Sequence, residues 1–449
     1  IVTEAIESGA LGFSTSRTIL HRDVHGVYVP GTEASSEEMK SLAFAIDKAG
    51  EGTLEIVSDW LDKEIEMSWM REYVEKSDCG LTVLQTSGDA VKTILFCEEQ
   101  FLKGKNVRPQ FPGRNVGMMF GLESSLHPFI GHPSYREIAD LPLSERVKIM
   151  KDPAFKEKLL NEKPNFASEI EKSMNEQGNT KSQEEIKEAA NLGLKLISNY
   201  DTQFILGDPP NYEPGKEDSI AALAKSKGIA ELEVIYDEFL KNDGTNLVYA
   251  CFTPYDNHKL DFVERAYSLK SSVAGGSDGG AHCGLICDAS MPTTNLSHWA
   301  RDREAGKKIP IELIVRKQTK DTAETYGLFD RGEIKTGMLA DLNIIDFEKL
   351  NVTHPKMVYD LPLGGRRLIQ TSSGYLATVK SGEVVYEAGE ATGVLPGKLI
   401  RGKQTCEVKT EKERVPFIDR TLRLMSVKAF KLLWNFRKSS VKTTVVSDD

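Results

Sequence analysis

Apolar positions along the first 110 residues alternate between two spacings. "SSEEMKSLAFAIDKAG" repeats its apolar residues at three- and four-residue intervals and stops at glycine, which predicts an amphipathic helix with a glycine end. "GTLEIVSDW" is a short apolar run and predicts a strand. "DKEIEMSWMREYVEKS" then predicts a helix, "LTVLQT" a strand, "VKTILFCEEQFLKGK" a helix and "VRPQF" a strand. Before them, "IVTEAIESG" predicts a helix ending at Gly9, and "ALGFSTS" a strand. Short apolar strands alternating with helices imply βα units in a parallel sheet buried on both faces.

From 113 to about 200 the rhythm breaks. The segment is highly charged, poor in strand formers and interrupted by Pro and Asn, which predicts a helical insertion. Alternation resumes with the strand "QFILGD", the helices "SIAALAKSKG" and "ELEVIYDEFLKNDG", the strand "TNLVYACF", the helix "KLDFVERAYSL" and the strand "SSVAGGSD". Beyond residue 326 the pattern becomes strand and turn, with a hairpin at Ser381 and Gly382. The expected division is an α/β body over 1–325, a small β region over 326–402 and a basic tail over 403–449.

Composition narrows the classes. The chain has 449 residues, 40% hydrophobic and 28% charged, with a formal net charge of −10. That length suits two or three cores, and that charge argues against a general nucleic-acid binder, which needs a surplus of Lys and Arg on one face. Six scattered cysteines give no disulfide framework, so a cytoplasmic location is expected. Cys283 and Cys287 lack the second pair that a structural zinc site needs. No signal peptide is expected, and no apolar run is long enough for a bilayer. Residues 401–449 hold twelve Lys or Arg against six acids, a local charge of +6. There, Ile418, Leu422, Met425, Leu432 and Phe436 share one helical face that suits packing on protein or contact with an anionic membrane surface. The chain opens without methionine on what reads as the middle of an architecture, so a missing natural beginning is expected.

The densest chemistry lies in "SVAGGSDGGAHCGLICDASMPTTNLSHWARDR". Asp278 follows a strand and is flanked by glycines, the place where barrel enzymes mount catalytic groups. A carboxylate there can bind a metal, accept a proton from bound water, or cap the following turn. His282, four residues on, can bind a substrate carboxylate or a metal, or orient its loop. Arg301 and Arg303 suit bidentate recognition of a carboxylate, and equally a salt-bridged helix end. His127 and His132 in "HPFIGHP" are expected to shape the insertion. His21 and His25 lie in "HRDVHGVYVPG", which reads as loop, and neither is taken as a ligand.

Four stretches, "GALGFSTSR…VPGTEASSEEMKSLAFAI", "GSDGGAHCG…DASMPTTNLSHWARDR", "TKDTAETYGLFDRGEIKTGMLADLNIIDF" and "DLPLGGRRLIQTSSGYLATVKSGEVVYEAGEATGVLPGKLIRG", resemble the amidohydrolase superfamily, in particular N-acyl-D-amino-acid deacylases and their longer relatives. The resemblance runs in order from residue 1 to about 402. It implies an α/β fold, here an incomplete (β/α)8 TIM barrel of the metal-dependent hydrolase type with a small C-terminal β-sandwich portion. It also implies hydrolysis of a small-molecule amide C–N bond, zinc activating a water, and Asp278 as both metal ligand and general base. His282 and Arg301 are then candidates for substrate binding. The chain departs from the family by having no His-X-His, and by placing no histidine in "LEIVSDW" or "TVLQTS". Glu55, Ser58, Asp59 and Gln85 stand there instead. A catalytically silent scaffold or binding protein is the alternative reading.

Overall fold

The computed structural model describes residues 1–405, apart from 22–26, 61, 86–90, 167–190, 192, 254, 278 and 281. Five parallel strands make its central sheet: β1 (Gly12–Arg17), β2 (Thr53–Ser58), β3 (Gly80–Leu84), β4 (Val107–Pro112) and, after a long excursion, a strand at Val273–Gly275 beside β4. Helices α1 (Val2–Glu7), α2 (Ser36–Ala49), α3 (Lys63–Lys76) and α4 (Val91–Leu102) fall where the apolar spacing predicts them. Their ends follow local chemistry. Ser35 Oγ accepts the Glu38 N–H and Asp62 accepts the Ile65 N–H, satisfying donors that the first helical turn leaves unpaired.

The two faces of this sheet differ. Leu54, Ile56, Leu81, Val83 and Val107 pack under Met39, Ile46, Trp69, Met70 and Tyr73 of α2 and α3. On the other face the register aligns Ser14, Glu55, Thr82 and Arg108 across four strands. One side is therefore apolar and covered by helices, and the other is a polar row. This is the layering of a barrel wall, five strands of the eight that a closed barrel of this kind contains.

Gly12 shows how tightly β1 and β2 meet. A Cβ built on it would lie 2.0 Å from the Thr53 carbonyl oxygen, which is backbone and has no room to swing away. Gly12→Ala is expected to cost about 1–3 kcal/mol through the forced separation of the two strands. A chemical denaturation midpoint equal to that of the parent chain would contradict this.

The excursion between β4 and the last parallel strand departs from the sequence expectation. Val116–Phe120 is a strand, β5, inside the segment expected to be helical. It joins β6 (Gln203–Ile205) and β7 (Val248–Thr253) in an antiparallel sheet of order β5-β7-β6. The parallel alternation expected to resume at "QFILGD" does not do so until the strand Val273–Gly275, β8. The reason is visible in β7. Val248 and Ala250 enter a core with Phe129, Tyr236 and Phe239, whereas Tyr249 and Cys251 enter one with Phe111, Tyr267 and Trp299. A strand apolar on both faces reads the same whether its neighbours run parallel or antiparallel.

After residue 326 the strands Leu342–Ile345, Tyr375–Lys380, Glu383–Glu387 and Glu390–Ala391 form an antiparallel sheet, with the expected hairpin turning at Ser381 and Gly382. Two further antiparallel pairs, Asn351–Val352 with Ser372–Ser373 and Lys356–Leu361 with Gly365–Ile369, stand beside it. The basic amphipathic segment of the tail lies outside the described residues. No described helix is long and apolar enough to cross a membrane.

Candidate active site at the carboxyl ends of the parallel strands

The start of β8 is held firmly. The Glu98 carboxylate on α4 accepts the backbone N–H groups of Lys270 and Ser271 at 3.2 and 2.9 Å and the Ser271 hydroxyl at 2.6 Å. Lys317, buried, donates to the carbonyls of Leu269 and Ser272, each at 2.7 Å, and pairs with Asp321 at 3.3 Å. The strand thus delivers Gly275, Gly276 and Ser277 to a fixed place. Gly276 has φ +77°, a conformation that costs a residue with a Cβ appreciable strain, so the chain turns at once out of the strand. Asp278, the expected base and metal ligand, lies outside the described residues.

The loop leaving β8 is anchored on both sides. Ser125 N–H donates to the Gly284 carbonyl at 2.9 Å, and Leu368 N–H to that of Cys283 at 2.7 Å. His282 sits at φ +48°, and its carbonyl accepts the N–H groups of Leu285 and Ile286 at 2.8 and 2.9 Å. Its imidazole comes within 6.4 Å, centroid to centroid, of the imidazole of His21. His21 belongs to the loop after β1, so the loops following the first and last strands of the sheet meet across its carboxyl end. His21 Nδ1 lies 2.7 Å from Ser16 Oγ of β1. Reading "HRDVHG" as loop was right for His21, but loop geometry did not keep it from the mouth. Chain distance between positions 21 and 282 hid the pairing.

The other strand ends are tied into structure. Arg17 Nε donates to Glu66 at 2.7 Å, and its Nη1 to the carbonyls of Gly31 and Ala34 at 3.1 and 2.9 Å, which fixes the "VPGTEA" loop. Asp59 accepts the Ile19 N–H at 2.8 Å, and Ser58 Oγ accepts that of Trp60 at 3.0 Å. Deeper inside, Glu55 accepts from Gln110 Nε2 at 3.1 Å and from the Tyr326 hydroxyl at 2.9 Å. Burial, with the Glu55 charge next, pushes that phenol well above its ordinary value. Gln85 is buried at the end of β3 with both amide atoms lacking a hydrogen-bond partner among the described residues.

The described donors at the ends of β2 and β3 do not make a zinc site. Zinc takes imidazole, thiolate or carboxylate ligands converging at about 2.0–2.3 Å, whereas the ends of β2 and β3 offer a hydroxyl, an amide and an Asp59 carboxylate that already secures a loop. No group of three or more His, Cys, Asp or Glu suited to a metal occurs among the described residues. Metal analysis after exhaustive dialysis is expected to return far less than one zinc per chain. A full retained equivalent would show that unassigned ligands complete a site.

Arg301 donates to the carbonyl of Leu350 at 2.7 Å, to that of Phe347 and to the Asp302 carboxylate, so in this structure it braces the β region. Arg303 is not the exposed helix end that its charge suggests. It is 2% exposed, stacked 4.3 Å over the Trp299 ring and paired with Glu213. His127 and His132 are buried among Phe129, Tyr135 and Phe239, as shapers of the excursion. Burial holds the His127 imidazole down at about 3, so it stays neutral.

No functionally curated protein matches the chain. A solved structure described as "Crystal structure of D-aminoacylase defines a novel subset of amidohydrolases" is 17% identical, with a TM-score of 0.43, over 87% of this chain and 63% of that one. The chain therefore spans less than two thirds of that protein's length. The profile described as "Amidohydrolase family" matches residues 1–386. The chain, matched over most of its length and built on the parallel strands just described, belongs to the amidohydrolase family.

Proposed function

We propose that the protein hydrolyses the linear, non-peptide amide bond of an N-acyl amino acid, a D-amino acid derivative in the first instance, at the carboxyl end of its parallel sheet. The observation that carries this reading is the family match over residues 1–386, which includes the "GGSDGGAH" turn leaving β8. In the proposed reaction the Asp278 carboxylate takes a proton from water as the water oxygen attacks the amide carbon. The tetrahedral intermediate then expels the amine, which takes the proton back from Asp278. His282 is assigned to the substrate carboxylate, with Arg301 as a second candidate once released from its carbonyl partners. No step is assigned to zinc, because the described donors do not fit it. Cys79, Cys97, Cys251, Cys283 and Cys287 are free thiols, which suits the proposed cytoplasmic setting.

One observation favours a second reading, a barrel that binds such amides without cleaving them. The ends of β2 and β3 present Ser58, Asp59 and Gln85, two of them already used to hold loops. Amine release from a panel of N-acetyl-D- and L-amino acids separates the two. Turnover supports the hydrolase, and saturable binding with no amine released supports the binding protein. Arg301→Ala is expected to raise KM with little loss of kcat if the arginine holds the carboxylate. A fall in melting temperature with unchanged KM would make it a brace alone.

A further inference from the structure

Strand β1 ends on a hydroxyl that the reaction proposed above does not use. The register pairs Gly12, Ser14 and Ser16 with Thr53, Glu55 and Val57, so Ser16 lies on the same face as Ser14 and Glu55, one strand repeat nearer the carboxyl end. Ser16 Oγ stands 2.7 Å from His21 Nδ1, and both residues are half-buried. A hydroxyl that water can reach does not need an imidazole to satisfy it, so the fold alone does not call for this pair.

The imidazole is held in place by the turn that carries it. The His21 N–H donates to the Thr18 carbonyl at 3.3 Å, and the His21 carbonyl accepts the Val29 N–H at 3.4 Å. Between them, the Leu20 N–H donates to Thr18 Oγ1 at 3.2 Å and the Ile19 N–H to the Asp59 carboxylate at 2.8 Å. Four successive residues after β1 are thus tied down, and the turn folds back over the strand end. In the neutral tautomer with its proton on Nε2, the imidazole accepts at Nδ1 and the Ser16 hydroxyl donates. A hydroxyl within about 2.6–3.2 Å of a fixed base is the arrangement of an activated nucleophile. It faces the mouth, because the His282 ring lies 6.4 Å from that of His21, centroid to centroid.

We propose that Ser16 and His21 are a nucleophile and base that hydrolyse carboxylic esters through an acyl-serine intermediate. His21 Nδ1 takes the hydroxyl proton as Ser16 Oγ bonds to the ester carbon. The tetrahedral intermediate then breaks its bond to the alcohol oxygen, and the alcohol leaves with the proton from His21. Water attacks the acyl carbon and passes a proton to His21, which returns it to Ser16 Oγ as the free acid departs. An ester is the class of substrate because its alcohol oxygen is a weaker base than the amine of an amide, and a single imidazole supplies the proton transfers. The pair is separate from Asp278 and does not rest on the amide reading.

Reaction of the whole chain with p-nitrophenyl acetate tests the proposal. A burst of about one nitrophenolate per chain followed by slower turnover is expected, with the acetyl group on Ser16 when acid-quenched protein is digested and sequenced by mass spectrometry. Ser16→Ala should lose both burst and adduct. His21→Gln, which keeps a hydrogen-bonding side chain but takes no proton, should slow acylation by about 10²- to 10⁴-fold. Both substitutions are small and are expected to keep the parent unfolding midpoint, and mapping the adduct on the parent chain needs no variant. An acetyl group found on His21 or on lysines without Ser16, a burst that survives Ser16→Ala, or acylation of His21→Gln at the parent rate would each overturn the proposal. Ester turnover with no amine released from N-acetyl amino acids would defeat the amide reading alone. Amide turnover undiminished in Ser16→Ala, with no adduct on the parent chain, would defeat the pair alone.

Discussion

Asp278→Asn is expected to lower kcat on the preferred N-acyl amino acid by about 10²- to 10⁴-fold, the usual contribution of a positioned general base. Asparagine keeps the size and much of the hydrogen bonding of the carboxylate but cannot take a proton from water. KM should change much less, because the contacts assigned to the substrate carboxylate are on His282 and Arg301. Two controls make the result interpretable. The variant must unfold at the denaturant midpoint of the parent chain, and metal content must be equal in both preparations. A variant that keeps half the parent kcat would remove Asp278 from the chemistry and leave "GGSDGGAH" as a turn. Restoration of the rate by a small exogenous base would strengthen the assignment.

The second large effect concerns stability. Arg303 grips Glu213 with two parallel hydrogen bonds at 3.0 Å, and also reaches Glu264 at 2.5 Å and the Lys307 carbonyl at 2.9 Å. His298 Nε2 stands 2.7 Å from the same Glu213. Removing one partner of a buried pair strands the other charge, and Arg303→Met is expected to cost about 3–5 kcal/mol. Adding Glu213→Leu should recover much of that loss, since an apolar pair of similar volume leaves no buried charge stranded and only the partly exposed Glu264 without its partner. A double variant as unstable as Arg303→Met would point instead to the lost stacking on Trp299.

The same pair sets an acid limit. Burial raises the Glu213 carboxyl, but hydrogen bonds and charge from His298 and Arg303 outweigh that and bring it down to about 2 from an ordinary 4.5. A carboxyl held lower in the folded chain than in the unfolded one stabilises above 4.5. That stability is lost as pH falls from 4.5 through about 2. Denaturation midpoints measured across this window should fall in the parent chain and be flatter in Glu213→Gln.

The elements that build the parallel sheet were legible because each has local causes. Ser35 and Asp62 cap their helices, Gly50 ends α2 in the left-handed region at φ 81°, and the strand cores are short apolar runs. Pairing direction has no such local cause. "TNLVYACF" was read correctly as a strand and wrongly as part of the parallel series, because its alternate residues feed two different cores. β5 was missed inside a charged segment, since Val116–Phe120 is only five residues long and its partner lies some 130 residues away in the chain. Asp278 and His282 were picked out by the glycines that flank them in the sequence, a feature of adjacent residues. Ser16 with His21, and Arg303 with Glu213, gave no comparable signal.

By itself the sequence determined the family and the helix and strand segments around the parallel sheet, because propensity, capping and glycine conformations act over a few residues. Only the tertiary structure decided which strands pair antiparallel, which arginine is buried and that His21 faces His282. Those outcomes depend on which distant side chains meet once the apolar surfaces are buried, and spacing along the chain does not encode them.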